Sequence, residues 1–234
     1  MDAVRNGMAE LRGEEARHLT RVLRAEAGQR YEITDSQSAY LAEIVEARGE
    51  RVVFQVIEPI ESQPLPVRIT LCAALIKFDR FEWIVEKATE LGVDRVLPVE
   101  TARCEKGLLE ASRKRTERWI RIARESSQQS RRVRSPEILP AVRFDRSLAT
   151  EAECRYFLEE TTAPALLRIL PECRSYADRI AILSGPEGGW LDAERQAAAA
   201  AGWQPASLGP LVLRAETAAA AAIAILVNAW LAGA

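Results

Sequence analysis

From Val67 to the C-terminus, short apolar runs alternate with longer stretches of helical periodicity. No other feature of the chain constrains its fold as strongly. Val67 to Leu75 reads as a strand, and Phe81, Ile84, Val85, Ala88 and Leu91 then share one helical face that stops at Gly92. Val93 to Val99 is a second strand, and the spacing that follows predicts a long basic helix from about Leu108 to Gln129. Strands at Tyr156 to Leu158 and Ile180 to Leu183 come next. After them come a helix near Asp192 to Ala201, a short strand near Ala206 to Leu208 and a final alanine-rich helix. Strands joined through helices run parallel, and a parallel sheet needs apolar cover on both faces. The expected class is α/β.

The first third reads differently. Gly13 to Ala25 carries Leu19, Val22 and Leu23 at helical spacing, with Arg17, Arg21 and Arg24 around them. Three strand-like runs follow, Tyr31 to Thr34, Tyr40 to Val45 and Arg51 to Ile57, separated by turns at Asp35 to Ser38 and Arg48 to Glu50. Short strands with tight turns suggest a small barrel. Glu58 to Pro66 holds three prolines and few apolar residues, which places a domain boundary there. The two domains are expected at residues 1–62 and 67–234, and 234 residues suffice for both.

A formal net charge of −2 rules out a uniformly positive coat but leaves room for local basic faces. Cys72, Cys104, Cys154 and Cys173 are scattered, and His18 is the single histidine, so no metal site is expected and the thiols read as reduced. The first thirty residues are charged throughout, with no secretory core, and a cytoplasmic location is expected. Ala218 to Ala234 is apolar but slightly short for a membrane span, follows Arg214-Ala215-Glu216-Thr217 and contains Asn228. A helix apolar on most faces reads as core or subunit interface, and no membrane partner is expected.

Two glycine-rich segments carry the chemistry. Leu183-Ser184-Gly185-Pro186-Glu187-Gly188-Gly189 ends an apolar strand, and Leu208-Gly209-Pro210-Leu211-Val212-Leu213-Arg214-Ala215-Glu216-Thr217-Ala218 runs into the last helix. Two such loops suggest one pocket built from backbone amides and carbonyls, suited to a polar small molecule. No Lys-Ser/Thr follows the glycines, and the G-x-G-x-x-G fingerprint is absent. Taken alone, Gly-Pro-Glu-Gly-Gly is an ordinary turn.

Its pairing with Leu-Arg-Ala-Glu-Thr-Ala is more specific, and there the chain resembles the bacterial 16S ribosomal RNA uridine-N3 methyltransferases of the SPOUT superfamily. Lys87-Ala88-Thr89-Glu90-Leu91-Gly92-Val93, Glu125-Ser126-Ser127-Gln128-Gln129-Ser130-Arg131 and His18-Leu19-x-x-Val22-Leu23-Arg24 are similar to further motifs of that family. The resemblance covers nearly the whole chain. It implies an N-terminal PUA-like β-barrel that binds RNA, and a SPOUT-type parallel sheet with a C-terminal trefoil knot. It implies S-adenosyl-L-methionine held by Leu183, Gly185, Glu187, Gly188, Gly189, Leu208, Gly209, Leu213, Arg214 and Ala218. It also implies a homodimer acting on 16S rRNA, with an assembled 30S subunit as substrate.

Uracil N3 carries a proton at neutral pH, so an enzyme must remove it or stabilise the anion in line with the methyl group. Arg214 is the leading candidate for stabilising that anion or orienting the base, against a salt bridge with Glu216. Glu187 follows as base or cofactor anchor, against a cap on the next helix. For RNA, eleven basic residues crowd Arg103 to Arg134 among only four acids. Arg124, Gln128, Arg131 and Arg132 are expected on RNA there, and Arg17, His18, Arg21 and Arg24 in the first domain. A lone histidine more often packs or touches phosphate than catalyses. Two features depart from the family pattern: the start Met-Asp-Ala-Val-Arg-Asn-Gly, and Arg17-His18 in place of a histidine pair. The rival readings are a SPOUT methyltransferase with another RNA target or position, and a non-catalytic ribosome-assembly factor.

Overall fold

A computed structural model describes residues 4–35, 37–61 and 65–233. Parts of two sequence expectations, the turn at Asp35 to Ser38 and the boundary at Glu58 to Pro66, fall outside them, as do residues 1–3 of the atypical start. The chain divides between Pro64 and Leu65 into two compact units.

The first unit comprises β1 (Met8–Arg12), α1 (Glu14–Arg17), β2 (Arg30–Thr34), β3 (Ala39–Arg48) and β4 (Arg51–Ile60). They form an antiparallel sheet in the order β1-β4-β3-β2. Strand β1 has no counterpart in the sequence reading, because Met8-Ala9-Glu10-Leu11-Arg12 lacks β-branched residues. It forms by pairing along β4, from Met8 opposite Gln55 to Arg12 opposite Arg51. Register shifts at Leu41/Ala42 and Ile44/Glu46 mark bulges, which bend a strand locally. The core gathers Ala9, Ala16, Ala42, Ile44, Val52 and Phe54, with Tyr31 edge-on to Phe54 at 6.4 Å. The predicted helix begins as α1 and widens into a π-type turn at His18–Val22. That turn leaves Val22 and Leu23 64% and 55% exposed, although their spacing matches a buried helical face.

The second unit is built on a parallel sheet of unequal strands. Its elements are β5 (Val67–Ala74), α2 (Phe78–Glu90), β6 (Arg95–Glu100), α3 (Leu108–Arg113) and α4 (Thr116–Gln129). Then follow β7 (Glu137–Ile138), β8 (Val142–Arg143), α5 (Phe144–Ser147), β9 (Cys154–Leu158), β10 (Asp178–Ser184), α6 (Asp192–Ala200), β11 (Gln204–Ala206) and α7 (Ala215–Gly233). The order is β11-β9-β10-β5-β6-β7, with β8 also on β6. Alternation along the strands sends side chains to two cores, as a sheet covered on both faces requires. Ile69, Leu71, Ile180 and Ile182 face the cluster that includes Phe81, Trp119, Ile223, Leu226 and Trp230. Cys72, Ala181 and Leu183 face Phe157, Trp190 and Trp203 on the other side.

The long basic helix is two helices. Ser112 turns its hydroxyl back to the Leu109 carbonyl at 2.6 Å, and the Lys114 and Arg115 amides bond three residues back, which ends α3. The break lets Arg118 chelate Glu82 on α2, at 2.6 and 2.7 Å. Helix α7 packs Ala219, Ala222, Ile223, Leu226 and Trp230 into the main core. Its length and composition alone would also suit a membrane span. At its far end Trp230 donates to Asp178 at 3.0 Å, and Arg174 donates to the Ala229 carbonyl at 2.8 Å while lying over the Trp230 ring.

Candidate active site

In the second unit β10 lies between β9 and β5, so the strand order reverses there relative to the chain. Crevices at such reversals, beyond the carboxyl ends of parallel strands, are where open α/β sheets bind ligands. A cavity of about 330 Å³ opens at this place. Its walls come from the end of β9 (Leu158, Glu159, Glu160), the end of β10 and the loop after it (Ser184 to Glu187, Gly189, Trp190), and the loop into the first turn of α7 (Leu208, Gly209, Leu211 to Ala215, Ala218), with Arg80 from α2.

Of the expected cofactor residues, Gly185, Glu187, Gly189, Leu208, Gly209, Leu213, Arg214 and Ala218 line this cavity. Leu183 does not: it points to the opposite core and is fully buried. Gly188 also lies off the wall, where its carbonyl accepts from Arg103. Glycine is required at two positions. A Cβ on Gly185 would meet the Trp190 indole at 2.9 Å, and Gly189 has φ +70° with the Glu160 carboxylate standing where a Cβ would go. Trp190 cannot give way easily. It stacks on Phe157 at 4.6 Å between centroids and donates from Nε1 to the Leu158 carbonyl at 2.9 Å.

Charge is arranged in pairs. Glu187 is ion-paired to Arg80. It does not cap the next helix, because Glu194 accepts from the Leu191 N–H at 2.9 Å and takes that place. The other Glu194 oxygen accepts from the Ala102 amide at 2.8 Å, which ties the segment after β6 to α6. Glu159, with its side chain 5% exposed, is chelated by Arg195 at 2.6 and 3.1 Å. Burial pushes the Glu159 carboxyl up, but the Arg195 and Thr161 bonds outweigh it and hold the group below its ordinary range. Arg214 is exposed and forms no ion pair among the described residues, so the rival reading of a bridge to Glu216 is not borne out. One Glu216 carboxylate oxygen is buried with no hydrogen-bond partner.

On α4 and just beyond it, Arg124, Gln128 and Arg131 are exposed. Arg113 is paired with Glu110, and Arg115 and Arg118 with Glu82. That leaves Arg121 and Arg124 as α4 cations without an ion pair among the described residues. Arg132 turns inward instead of toward RNA, and its Nη1 donates to the Thr89 and Val93 carbonyls at 2.7 and 2.9 Å. In the first unit Arg17, His18, Arg21 and Arg24 are all exposed, with Arg17 paired to Glu50 at 3.1 Å and Arg24 at φ +53°. Sequence reasoning missed Arg80, Glu159, Glu160 and Trp190. Glu159 and Glu160 were marked by position, directly after the Tyr156–Leu158 strand. Arg80 carried no local signal, because its partner is 107 residues away.

A two-sided parallel sheet with a glycine-lined crevice at its strand-order reversal is the architecture of the α/β proteins that bind a small molecule at their strand ends. The chain belongs to the RNA methyltransferase family, whose domain model matches residues 63–227, while an RNA methyltransferase PUA domain matches residues 11–57. It is similar to the ribosomal RNA small subunit methyltransferase E of Bacillus subtilis, 32% identical over 88% of this chain and 84% of that one. The protein of the same name from Synechocystis is 33% identical over 88% and 68%. Among solved structures, the ribosomal RNA small subunit methyltransferase E of Neisseria gonorrhoeae bound to S-adenosyl methionine superposes with a TM-score of 0.88. That pair is 28% identical over 98% of this chain and 96% of the other.

Proposed function

We propose that this protein transfers the methyl group of S-adenosyl-L-methionine to N3 of a uridine in the 16S RNA of the small ribosomal subunit. The observation that carries the reading is the cavity. Three loops from strand ends bring main chain, leucines and the exposed Arg214 guanidinium to one volume, with Gly185 and Gly189 keeping it open. It is supported by relatives named for small-subunit ribosomal RNA and by one that holds the methyl donor. When bound, that cofactor supplies an electrophilic methyl on a sulfonium. Main chain at Gly185, Gly189 and Gly209 takes its adenosine, and Leu208, Leu213 and Ala218 give the apolar surroundings.

Arg214 stabilises the negative charge that develops on the uracil as N3 loses its proton. Glu187, held by Arg80, anchors the donor or receives that proton. The exposed Arg124, Gln128 and Arg131, with Arg17, His18, Arg21 and Arg24 of the PUA-like domain (residues 1–62), contact RNA mainly through phosphates. Residues 67–234 form the catalytic domain, with the C-terminal segment threaded as a trefoil knot. The protein works in the cytoplasm as a homodimer on assembled 30S subunits.

The test is Arg214→Ala. Methyl transfer to 30S subunits, read by nucleoside mass spectrometry, is expected to fall about 100-fold or more while calorimetric affinity for the donor changes little. Equal loss of donor binding and transfer would reassign Arg214 to the cofactor. Unchanged transfer would remove it from the chemistry.

A further inference from the structure

Three carboxylates line the cavity, and they are not equivalent. Glu187 is matched by Arg80, and Glu159 by Arg195 together with the Glu160 and Thr161 amides. Glu160 alone has a carboxylate with no hydrogen bond or ion pair among the described residues. It is exposed, lies on the cavity wall and stands over Gly189, in space that any other residue at 189 would fill. Its backbone is not free to wander. The Glu160 N–H donates at 3.0 Å to Glu159, itself locked to Arg195, and Trp190 fastens Leu158 two residues back. Among the described residues the cavity wall therefore has one unmatched anion, Glu160, and one unmatched cation, Arg214. The reaction proposed above has one reactant with net positive charge, the methyl donor, and one that becomes negative, the uracil.

We propose that Glu160 is a cofactor-recognition residue that binds the α-ammonium group of S-adenosylmethionine at the Gly189 edge of the cavity. The inference rests on the methyl-donor reading and extends it to a residue outside the glycine loops. The ammonium is the fitting partner because it offers three N–H donors to a carboxylate, whereas a sulfonium has none. Glu160 is also exposed, which suits a strongly hydrated ammonium better than the methyl that must meet uridine away from water. Gly189 belongs to the same device: its missing side chain leaves room for the carboxylate to reach the cavity.

The two cations of the donor can be separated by ligand choice. S-adenosylhomocysteine keeps the ammonium and lacks the sulfonium charge, and 5′-methylthioadenosine lacks both. Calorimetric titration of wild type and Glu160→Gln with all three ligands is the experiment, with a thermal melt of each protein to confirm folding. Glu160→Gln should weaken S-adenosylmethionine and S-adenosylhomocysteine by the same factor, about fivefold to tenfold for a part-exposed charged contact, and leave 5′-methylthioadenosine unchanged. Glu160→Asp should recover part of the loss. Weakening of S-adenosylmethionine alone would move Glu160 to the sulfonium and overturn the assignment. Equal weakening of all three, or of none, would overturn it too. A wild type that binds none of them would sink the methyl-donor reading and this inference together.

Discussion

At the scale of single residues, similar side chains play different roles according to what surrounds them. Arg124 and Arg132 lie in one basic run, and composition cannot tell them apart. Arg124 ends in solvent, whereas Arg132 is part-buried, within the field of Asp94, and donates to two main-chain carbonyls. Burial opposes the charge on both members of this pair: it pushes Asp94 up and Arg132 down, while each one's field favours the charge on the other. Arg132→Met takes the guanidinium donor from the Val93 carbonyl, leaves the Thr89 carbonyl with the Gly92 amide, and removes one of the cations that favour the Asp94 charge. We expect a loss of about 2–3 kcal/mol in urea unfolding. Arg124→Met should stay within about 0.5 kcal/mol of wild type and weaken RNA binding instead. If both variants behave alike, the two arginines do not divide structure from binding in this way. The glycine motif was readable in the sequence because a turn's needs are local. The role of Arg132 was not, since its acceptors lie 43 and 39 residues away.

At the scale of elements, the cavity depends on a clamp between the end of β9 and the start of α6. Arg195 chelates Glu159 and also donates to the Trp190 carbonyl at 2.8 Å and to Asp192 at 3.1 Å, so one side chain holds two walls. Arg195→Met strands a nearly buried carboxylate, and a cost of about 2–3 kcal/mol at pH 7 is expected, discounted because Arg195 is partly exposed. The double variant Arg195→Met with Glu159→Gln should recover about 1 kcal/mol of it. The folded carboxyl of Glu159 lies below its ordinary 4.5, so the pair contributes fully above that pH and its contribution is lost as pH falls through the folded value. The gap between wild type and Arg195→Met should therefore narrow on acidification below about pH 4.5, as read by unfolding midpoints. A gap independent of pH would mean that Arg195 acts through packing alone. Helix periodicity placed α2, α6 and α7 within a few residues, yet it joined α3 and α4. The Ser112 turn that parts them is a side-chain choice, invisible to hydrophobic spacing.

For the whole molecule, the last helix poses the question of assembly. Helix α7 buries one face in the core, but only 39% of its most apolar stretch is covered, and Thr217, Ala221, Ala224, Asn228 and Leu231 lie along the opposite side. The small Thr217, Ala221 and Ala224 of that row let a second helix approach closely. Light scattering of the wild type is expected to give twice the chain mass, and Ala221→Glu to give a monomer that still melts cooperatively. A monomeric wild type would sink the homodimer. What the sequence determined by itself is whatever contiguous residues can encode: the change from short strands to strand–helix alternation, a sheet buried on both faces, and glycines where main chain turns sharply. The physical reason is that propensity, periodicity and turn chemistry act over a few residues. Tertiary structure alone decided that β10 inserts between β9 and β5, which brings Arg80 to Glu187, Arg195 to Glu159 and Glu160 over Gly189. Every strand order has the same period of two. The order is chosen by the burial summed over the whole sheet, and the charges of the cavity meet only once that choice is made.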